Sequence, residues 1–408
     1  MEAANVPSVS GALLFSGFDA ALAGFSALDL YFGLAPLPFT WVNTGADLSE
    51  LARLFEGLRF PGPGIADAAL DMDGRTWYFT CLDRDLPGEP PPFSLLSFTY
   101  DCAAGCFRDP AGLYPLLREL RDGRPSLPAS GEWWAANPAS DRFRAAADAA
   151  VILARYCGGG SARKGELPAG EGRREEEVRL AARAAEALRG LPPALAPEAE
   201  AQRTLLCTLM LSPRPDLGLR LLRLTGFAGE LWPELAALDE VDHSKEYHPE
   251  GNVWNHTLET FRYRKPSAGG AQDLRLSLGL LLHDVGKPLA ASSGGKRFDG
   301  HAEIGARLAR GFLQRLGFEA AFIEEIYFLV RNHMLPAALP RLPPSRTAGI
   351  IESPLFPTLM ELYRCDESSS FKGPTGYYES SAAYQAYLRS RRNPYRRPDG
   401  KKIARPGV

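Results

Sequence analysis

Histidine is confined to one part of this 408-residue chain, and no other feature of the sequence constrains the fold as strongly. All six histidines lie between residues 243 and 333, where apolar residues recur with the spacing of successive helices. Six side chains of the ligand type fall on predicted helices or at their ends: His256, His283, Asp284, His301, His333 and Asp366. From one helix to the next, the intervals are 27, 17, 32 and 33 residues. Antiparallel helices of that length can bring residues at these intervals to the same height along a bundle. The pattern therefore predicts an all-α bundle in which these side chains converge.

The stretch SLGLLLHDVGKP, residues 277–288, is an apolar run that ends in His283 and Asp284. An imidazole and a carboxylate that are buried side by side destabilise the fold unless each finds a partner. Histidine is the commonest metal ligand, so a shared metal ion is the partner that the clustering favours. A single histidine at a helix end is more often a capping or surface residue, and that is our interpretation of His243 and His248.

Charge and cysteine content narrow the class of protein only moderately. The net charge is −3, so bulk charge does not favour nucleic-acid binding, and any such binding requires a local basic patch. The six cysteines are scattered, which is typical of free thiols in a reducing cytosol. No Lys or Arg precedes Arg53, and no apolar run is long enough to span a bilayer. We therefore expect a cytoplasmic protein without membrane contact.

The sequence pattern divides the chain into four segments. Residues 1–125 alternate short β-rich runs with helical patterns, which predicts an N-terminal α/β domain. Residues 126–240 are helical and predict a neck that contains a flexible, Gly-rich loop near residues 158–176. Residues 241–390 predict the all-α domain that holds the histidines, and residues 391–408 form a basic tail. The predicted fold class is α+β.

The order H…HD…D of these residues, with two further histidines, resembles the HD-domain phosphohydrolase superfamily. The resemblance implies a first divalent metal ion that is held by four residues, namely His256, His283, Asp284 and Asp366. It also implies that His301 and His333 hold a second ion, with Asp284 as the bridging ligand. Imidazole and carboxylate ligands suit Fe, Mn, Co, Ni or Zn, so the identity of the metal stays open.

Lys287 follows His283 and Asp284 by about one helical turn and matches the lysine of the HD-x-G-K motif in that superfamily. As a point charge, Lys287 is expected to steady a phosphate group. The alternative for this residue is a plain solvated lysine. Asp284 and Lys287 are thus the predicted catalytic residues.

A second resemblance covers nearly the whole chain. LSPRPDLGLRLLRLTGFAGELWPELAALDEV, followed by YHPEGNVWNHTLETF, is similar to bacterial CCA-adding tRNA nucleotidyltransferases that carry an HD domain. In the N-terminal segment, five residues keep the places of that family's strand-turn-helix stretch: Tyr100, Asp101, Asp109, Pro110 and Gly112. The resemblance implies a nucleotidyltransferase-like α/β domain, a helical neck and a C-terminal HD domain.

The departures from that family fall on its chemistry. Phe39 and Trp41 stand where the resemblance places the two carboxylates that hold Mg²⁺, and three prolines occupy residues 90–92 in place of an R-R-D stretch. Phosphoryl transfer depends on that metal, so we predict that transferase activity is lost and that the two aromatic residues pack in the core. Asp71 and Asp73 also form a D-x-D, but at a hairpin-like turn after the helix.

Two functions of different classes follow. The first is a divalent-metal phosphohydrolase that acts on a phosphoester of a nucleotide or an RNA end, where the resemblance implies 2′,3′-cyclic phosphates and 2′-phosphates. The second is an RNA- or tRNA-binding protein without transferase activity, supported by the basic residues between Arg389 and Arg405. A solvated tail is the alternative for that stretch. An active nucleotidyltransferase is a third option. The oligomeric state is left open.

Overall fold

The structure is a computed structural model. It describes residues 8–62, 65–82, 98–110, 112, 114–121, 142–157, 171–189, 196–242, 251–266, 271–292, 298–370 and 373–391. The chain divides into two compact units: Met1–Phe227 with Pro266–Gln272, and Ala228–Lys265 with Asp273–Val408. The domain boundaries that the sequence predicts at residues 125, 240 and 390 stay predictions.

The first unit contains a six-stranded sheet. Its strands are β1 (Ala20–Ala23), β2 (Phe39–Thr44), β3 (Ala68–Met72), β4 (Arg75–Cys81), β5 (Thr99–Asp101) and β6 (Cys106–Arg108). Their order is β3-β4-β2-β1-β5-β6, in which β2 and β4 are parallel and the other neighbours are antiparallel. Asp73 and Gly74, with φ of 53° and 70°, form the tight turn between β3 and β4. The D-x-D of Asp71 and Asp73 therefore lies at a hairpin turn, as the sequence predicts.

Strand β2 has one buried face and one partly exposed face, because successive side chains point to opposite sides of a sheet. The buried side chains are Thr40, Val42 and Thr44. Phe39 and Trp41 lie on the opposite face and are only half-buried, so the prediction that they pack in the core is wrong. They contact Tyr78 instead, with ring centroids 6.4 Å apart for Phe39 and 5.5 Å apart for Trp41.

The helices of the first unit are α1 (Ser8–Phe15), α2 (Phe25–Phe32), α3 (Leu48–Leu54), α4 (Tyr114–Arg121), α5 (Arg142–Arg155), α6 (Glu171–Ala187), α7 (Ala199–Met210) and α8 (Pro215–Leu224). Local signals explain where α3 begins. The Asp47 side chain accepts a hydrogen bond from Glu50 N at 2.8 Å, and Glu50 Oε2 accepts one from Asp47 N at 2.9 Å. This capping box satisfies two backbone donors that the first turn would otherwise leave unpaired.

The sequence predicts a loop near residues 158–176, but the last part of that range is helical because α6 begins at Glu171. Residues 158–170 lie outside the described residues. Glu175 and Arg179 form an (i, i+4) ion pair at 3.1 Å, which favours helix in this charged segment although its composition resembles that of a linker.

The second unit is helical throughout the part of it that the structure describes. Its α-helices are α9 (Phe227–Leu231, beginning at the boundary), α10 (Pro233–Ala236), α11 (Val253–Thr260), α12 (Leu274–Leu282), α13 (Lys287–Ser292), α14 (His301–Arg315), α15 (Ala320–Asn332), α16 (Leu335–Ala338), α17 (Pro344–Ile351), α18 (Phe356–Ser369) and α19 (Thr375–Arg391). Short 3₁₀ helices cover Ala237–Glu240, Phe261–Tyr263 and Leu339–Arg341. The predicted α+β class is confirmed.

Helix α12 is the central helix of this unit. The Asp273 side chain caps it by accepting hydrogen bonds from the backbone N of Arg275 at 2.8 Å and of Leu276 at 3.4 Å. Every residue from Leu276 to Leu282 is buried, so the helix is surrounded by protein on all sides. His283, which follows it directly, is therefore buried as well. No helix among the described residues combines the length and the apolar composition that a bilayer-spanning helix requires.

Candidate metal centre

Five helices of the second unit bring the six predicted ligands together. His256 lies in the first turn of α11, His283 and Asp284 directly follow α12, His301 is the first residue of α14, His333 directly follows α15, and Asp366 lies in α18. The predicted placement on helices and helix ends is thus confirmed. Whether these residues bind metal stays a prediction, which the geometry below supports.

The first group consists of His256, His283 and Asp366, whose candidate ligand atoms all lie within 4.8 Å of one another. Asp366 Oδ1 lies 2.9 Å from His256 Nε2 and 3.8 Å from His283 Nε2. Asp284 Oδ2 lies beside the same two histidines, 3.1 Å from His283 Nε2 and 3.9 Å from His256 Nε2. These are the four residues that the superfamily resemblance assigns to the first ion.

The second group consists of Asp284, His301 and His333, also within 4.8 Å. Asp284 Oδ1 lies 3.5 Å from His301 Nε2 and 3.9 Å from His333 Nε2. The two imidazole Nε2 atoms are 3.1 Å apart. Each oxygen of the Asp284 carboxylate therefore faces a different group, which is the geometry of a bridging ligand.

Backbone carbonyls orient three of the four imidazole rings. His283 Nδ1 donates to Leu280 O at 2.8 Å, His301 Nδ1 to Phe298 O at 2.8 Å, and His333 Nδ1 to Val330 O at 2.7 Å, each acceptor being three residues earlier in the chain. A proton on Nδ1 leaves the Nε2 lone pair free for a metal ion and fixes the direction of the ring. The fourth ring, that of His256, has Ser369 Oγ at 3.4 Å from Nδ1.

The polar atoms of the centre fit a cation better than they fit one another. His283 Nε2 is buried and has no hydrogen-bonding partner of acceptable geometry. Burial lowers the pKa of His333 to about 4 and also lowers the pKa of His301, so both imidazoles are neutral at pH 7. Their facing Nε2 atoms are then both acceptors and repel each other at 3.1 Å. Imidazole nitrogens and carboxylate oxygens in this arrangement suit a transition-metal ion.

The two carboxylates of the centre stay ionised. Burial by itself raises the pKa of Asp284, but His283 and Lys287 together hold that pKa well below its usual value. Burial also raises the pKa of Asp366, but the hydrogen bond from His256 and the electrostatic interaction with His283 outweigh it and lower that pKa. Ionised carboxylates are the form that binds a metal ion.

Lys287 and Phe298 complete the surroundings of Asp284. Lys287 Nζ donates to Asp284 Oδ2 at 2.6 Å and lies 5.4 Å from the centroid of the Phe298 ring. The sequence analysis missed Phe298, which also supplies the carbonyl that orients His301. Its φ of 67° is unusual for a bulky residue, and such conformations cluster at functional sites. A phenylalanine in a polar loop carries no sequence signal of this role.

Among the described residues of the centre, three are partly exposed and four are almost fully buried. The side chains of His256, His283 and His333 are 1% exposed, and that of Asp284 is 2% exposed. Asp366 is 25% exposed, Lys287 12% and His301 11%. These last three are, of the centre's described residues, the ones that a substrate could contact first.

The aspartates that the first unit keeps from the nucleotidyltransferase pattern serve local structure. Asp101 Oδ1 accepts hydrogen bonds from the backbone N of Ala103 and Ala104 in the β5–β6 turn, at 3.0 Å and 2.8 Å. Asp109 Oδ2 accepts one from Tyr114 N, at the start of α4, at 2.7 Å. Asp71 binds Arg59 Nε at 2.9 Å. His243, His248, residues 90–92 and most of the basic tail lie outside the described residues.

Residues 253–353 match the HD domain family. The chain carries an HD domain. Five of the six predicted ligands lie inside the matched segment, and Asp366 follows it.

The chain is also homologous to bacterial tRNA nucleotidyltransferases. It is 35% identical to the CC-adding tRNA nucleotidyltransferase of Thermus thermophilus over 213 residues, which is 50% of this chain and 46% of that protein. It is 30% identical to the A-adding tRNA nucleotidyltransferase of Deinococcus radiodurans over 197 residues, which is 46% of this chain and 43% of that protein. The matches thus span less than half of the length of these relatives.

Among solved structures, the chain is similar to the Thermotoga maritima CCA-adding enzyme complexed with tRNA. The similarity covers 98% of this chain and 86% of that one, with 13% sequence identity and a TM-score of 0.42. Both figures are low.

Proposed function

We propose that this protein is a divalent-metal-dependent phosphohydrolase that acts on a phosphoester of a nucleotide or of an RNA end. The observation that carries the proposal is the placement of Asp284, whose Oδ1 and Oδ2 face different histidine pairs. Two ions of Fe, Mn, Co, Ni or Zn held by these groups would polarise a phosphoryl group and activate water. The homology to enzymes of tRNA processing supports an RNA-end or nucleotide substrate.

The chain's own residues supply binding and orientation in this proposal. The Lys287 side chain is 12% exposed beside Asp284, and in this proposal its ammonium group attracts a phosphate. The carboxylate of Asp284 is ionised and buried, so it interacts electrostatically with the imidazoles of both groups. The 1% exposure of the three inner histidines excludes bulk water from their nitrogen atoms.

The substitution Asp284→Ala tests the proposal. We expect the purified wild-type protein to contain two transition-metal ions and to hydrolyse 2′,3′-cyclic nucleotides or 2′-phosphates. Asp284→Ala is expected to lose both ions and at least about 1,000-fold in activity, because it removes a ligand shared by both groups. Metal content is measured by inductively coupled plasma mass spectrometry. Glu303→Gln, an exposed carboxylate on α14, is the matched control and should change neither quantity. Full activity of Asp284→Ala would contradict the proposal.

A second candidate function is RNA or tRNA binding without transferase activity. The observation that favours it is strand β2, where Phe39 and Trp41 occupy a partly exposed face and pack against the buried Tyr78. By the family resemblance, that face would carry the two Mg²⁺-binding carboxylates, and aromatic rings cannot replace them. Half-exposed aromatic rings are also surfaces on which RNA bases stack.

Incubation with tRNA that lacks its 3′ end, Mg²⁺ and labelled nucleoside triphosphates tests this second function. We expect tRNA binding without incorporation of CMP or AMP. Incorporation that disappears in Asp71→Ala or Asp73→Ala would show that the transferase carboxylates lie in the β3–β4 hairpin. Deletion of residues 391–408 is expected to weaken RNA binding most at low salt, because the tail is basic. Binding that is unchanged at every salt concentration would exclude the tail.

A further inference from the structure

We infer that Gly286 is a positioning residue, and that its backbone contact with the first turn of α14 places His301 in the second group of metal ligands. The inference rests on the proposed metal centre. Gly286 lies in the turn between α12 and α13, two residues after Asp284, and is buried. It therefore connects the bridging carboxylate to the helix that begins with His301.

The contact at Gly286 leaves no room for a side chain. A Cβ atom added to Gly286 would lie 2.0 Å from His301 O, 2.5 Å from Gly305 N and 2.9 Å from Gly305 Cα. His301 O and Gly305 N are the acceptor and donor that close one turn of an α-helix. These neighbours are backbone atoms of a regular helix, so they cannot rotate away as a side-chain end can.

Space, and not backbone conformation, is what requires glycine at this position. Gly286 is not among the glycines whose φ is positive, so an alanine would meet no left-handed backbone there. The neighbouring Gly300 differs, because its φ of 73° is left-handed while nothing lies within 4 Å of an added Cβ. Gly286 can thus be tested by a substitution whose only effect is steric.

The displacement that an alanine at 286 requires is large enough to affect the second group of metal ligands. A Cβ atom essentially never lies closer than 3.0 Å to such an atom, and an added Cβ at 286 would lie 2.0 Å from His301 O, so alanine must move the two backbones apart by about 1 Å. Metal–ligand distances are held within about 0.2 Å of their ideal values. His301 Nε2, now 3.5 Å from Asp284 Oδ1, would move out of the second group by several times that tolerance. No member of the first group lies on α14.

Gly305, on the other side of the contact, offers a milder test. A Cβ atom added there would lie 3.1 Å from Gly286 N and 3.4 Å from Val330 Cγ1. These distances require shifts of only tenths of an ångström. Val330 also supplies the carbonyl that orients His333, so a shift of Val330 would again displace a member of the second group. Gly311 is the matched control, because it lies on the same helix and has nothing within 4 Å of an added Cβ.

The experiment titrates Mn²⁺ into metal-free full-length protein and measures the number of bound ions and their dissociation constants. For the wild type and Gly311→Ala we expect two ions per chain. For Gly286→Ala we expect one ion, with the affinity of the first site within about tenfold of the wild-type value. For Gly305→Ala we expect two ions, the second bound about 10- to 100-fold more weakly. Circular dichroism verifies that each variant is folded.

A folded Gly286→Ala protein that binds two ions as tightly as the wild type would overturn the inference. If Gly286→Ala does not fold, Gly305→Ala decides, and unchanged affinity for its second ion would overturn the inference equally. A wild type that binds two ions but hydrolyses no phosphoester would contradict the proposed function and leave this inference standing. A wild type that binds fewer than two ions would overturn the inference.

Discussion

Two buried polar clusters, one in each unit of the chain, differ in how their hydrogen-bonding groups are satisfied. In the first unit, Asp29 accepts hydrogen bonds from Arg155 Nε at 2.5 Å, from Arg155 Nη2 at 2.8 Å and from the Tyr156 hydroxyl at 2.9 Å. Arg155 Nη2 also donates to Ala35 O at 2.6 Å. Donors and acceptors match in this cluster, and so do the charges.

The metal centre of the second unit has the opposite composition. Its ligand atoms are imidazole nitrogens and carboxylate oxygens, and the neutral Nε2 atoms of His301 and His333 face each other 3.1 Å apart. Lys287 Nζ lies 2.6 Å from Asp284 Oδ2 and supplies a positive charge beside that carboxylate. Acceptors thus outnumber donors in a buried space, which destabilises a protein unless a cation fills it.

The comparison shows why burial alone does not identify a functional site. Asp29 and Asp284 are both buried carboxylates with a cationic neighbour. The Asp29 cluster is complete within the protein, so it stabilises the packing of α2 against α5. The Asp284 cluster leaves His283 Nε2 without a hydrogen-bonding partner and places two neutral imidazoles against each other, which supports the proposal that it binds a cation.

The largest expected effect concerns the complete cluster. Asp29→Ala leaves the guanidinium of Arg155 buried without its counter-charge, and we expect a loss of about 3–5 kcal/mol in the free energy of unfolding. Urea unfolding measures that loss, and metal content should stay unchanged. Asp71→Ala is the control, because the Arg59–Asp71 pair is exposed and should contribute only about 0–1 kcal/mol. Equal losses in the two variants would contradict the interpretation of the Asp29 cluster.

Metal removal should affect only the incomplete cluster. With Mn²⁺ at about 100 times its dissociation constant, each bound ion stabilises the folded second unit by about 2.7 kcal/mol, and a chelator removes that contribution. Thermal unfolding, followed with and without a chelator, measures the shift. Asp29→Ala should show the same chelator-dependent shift as the wild type. A chelator that changes nothing in the metal-loaded wild type would contradict the proposed centre.

Acidification should destabilise the metal-free second unit. His333 has a pKa of about 4 in the folded protein because of burial, whereas an unfolded imidazole titrates near pH 6.5. Between these values the unfolded chain binds more protons than the folded one, so stability falls as the pH is lowered from 7 towards 4. His301, whose pKa is also lowered, adds to the effect. Unfolding midpoints at pH 7 and pH 5 measure it, and His333→Gln should reduce the difference.

The smallest expected effect concerns the orientation of His256. Ser369 Oγ lies 3.4 Å from His256 Nδ1, which is a weak contact compared with the carbonyl contacts of the other rings. Ser369→Ala is expected to weaken metal binding at the first site by about tenfold or less. Ser370→Ala is the matched control, because Ser370 also donates to a backbone carbonyl, at 2.7 Å, without a contact to a ligand. A larger loss in Ser370→Ala would show that α18 as a whole positions Asp366.

The sequence predicted the helices that carry the six expected ligands because that placement depends on local patterns, whereas metal binding by these residues stays a prediction. Apolar spacing marks α12, and the interval between His256 and His283 is long enough for one helix and its return. The prediction that Phe39 and Trp41 are buried was wrong. Their aromatic character indicates burial, but the burial of each face of β2 depends on the elements that pack against it. The first turn of α6, from Glu171, was predicted as loop because its charges resemble those of a linker.

The sequence by itself determined the α+β class and the HD pattern, and it predicted which residues are expected to bind metal, since hydrophobic period and residue chemistry are local properties. Only the tertiary structure decided that Asp284 presents one oxygen to each histidine pair, that carbonyls orient three rings, and that Gly286 touches the first turn of α14. These features depend on distances of a few ångströms between helices that are far apart in the chain. Such distances result from the packing of many side chains at once, and no local pattern contains them.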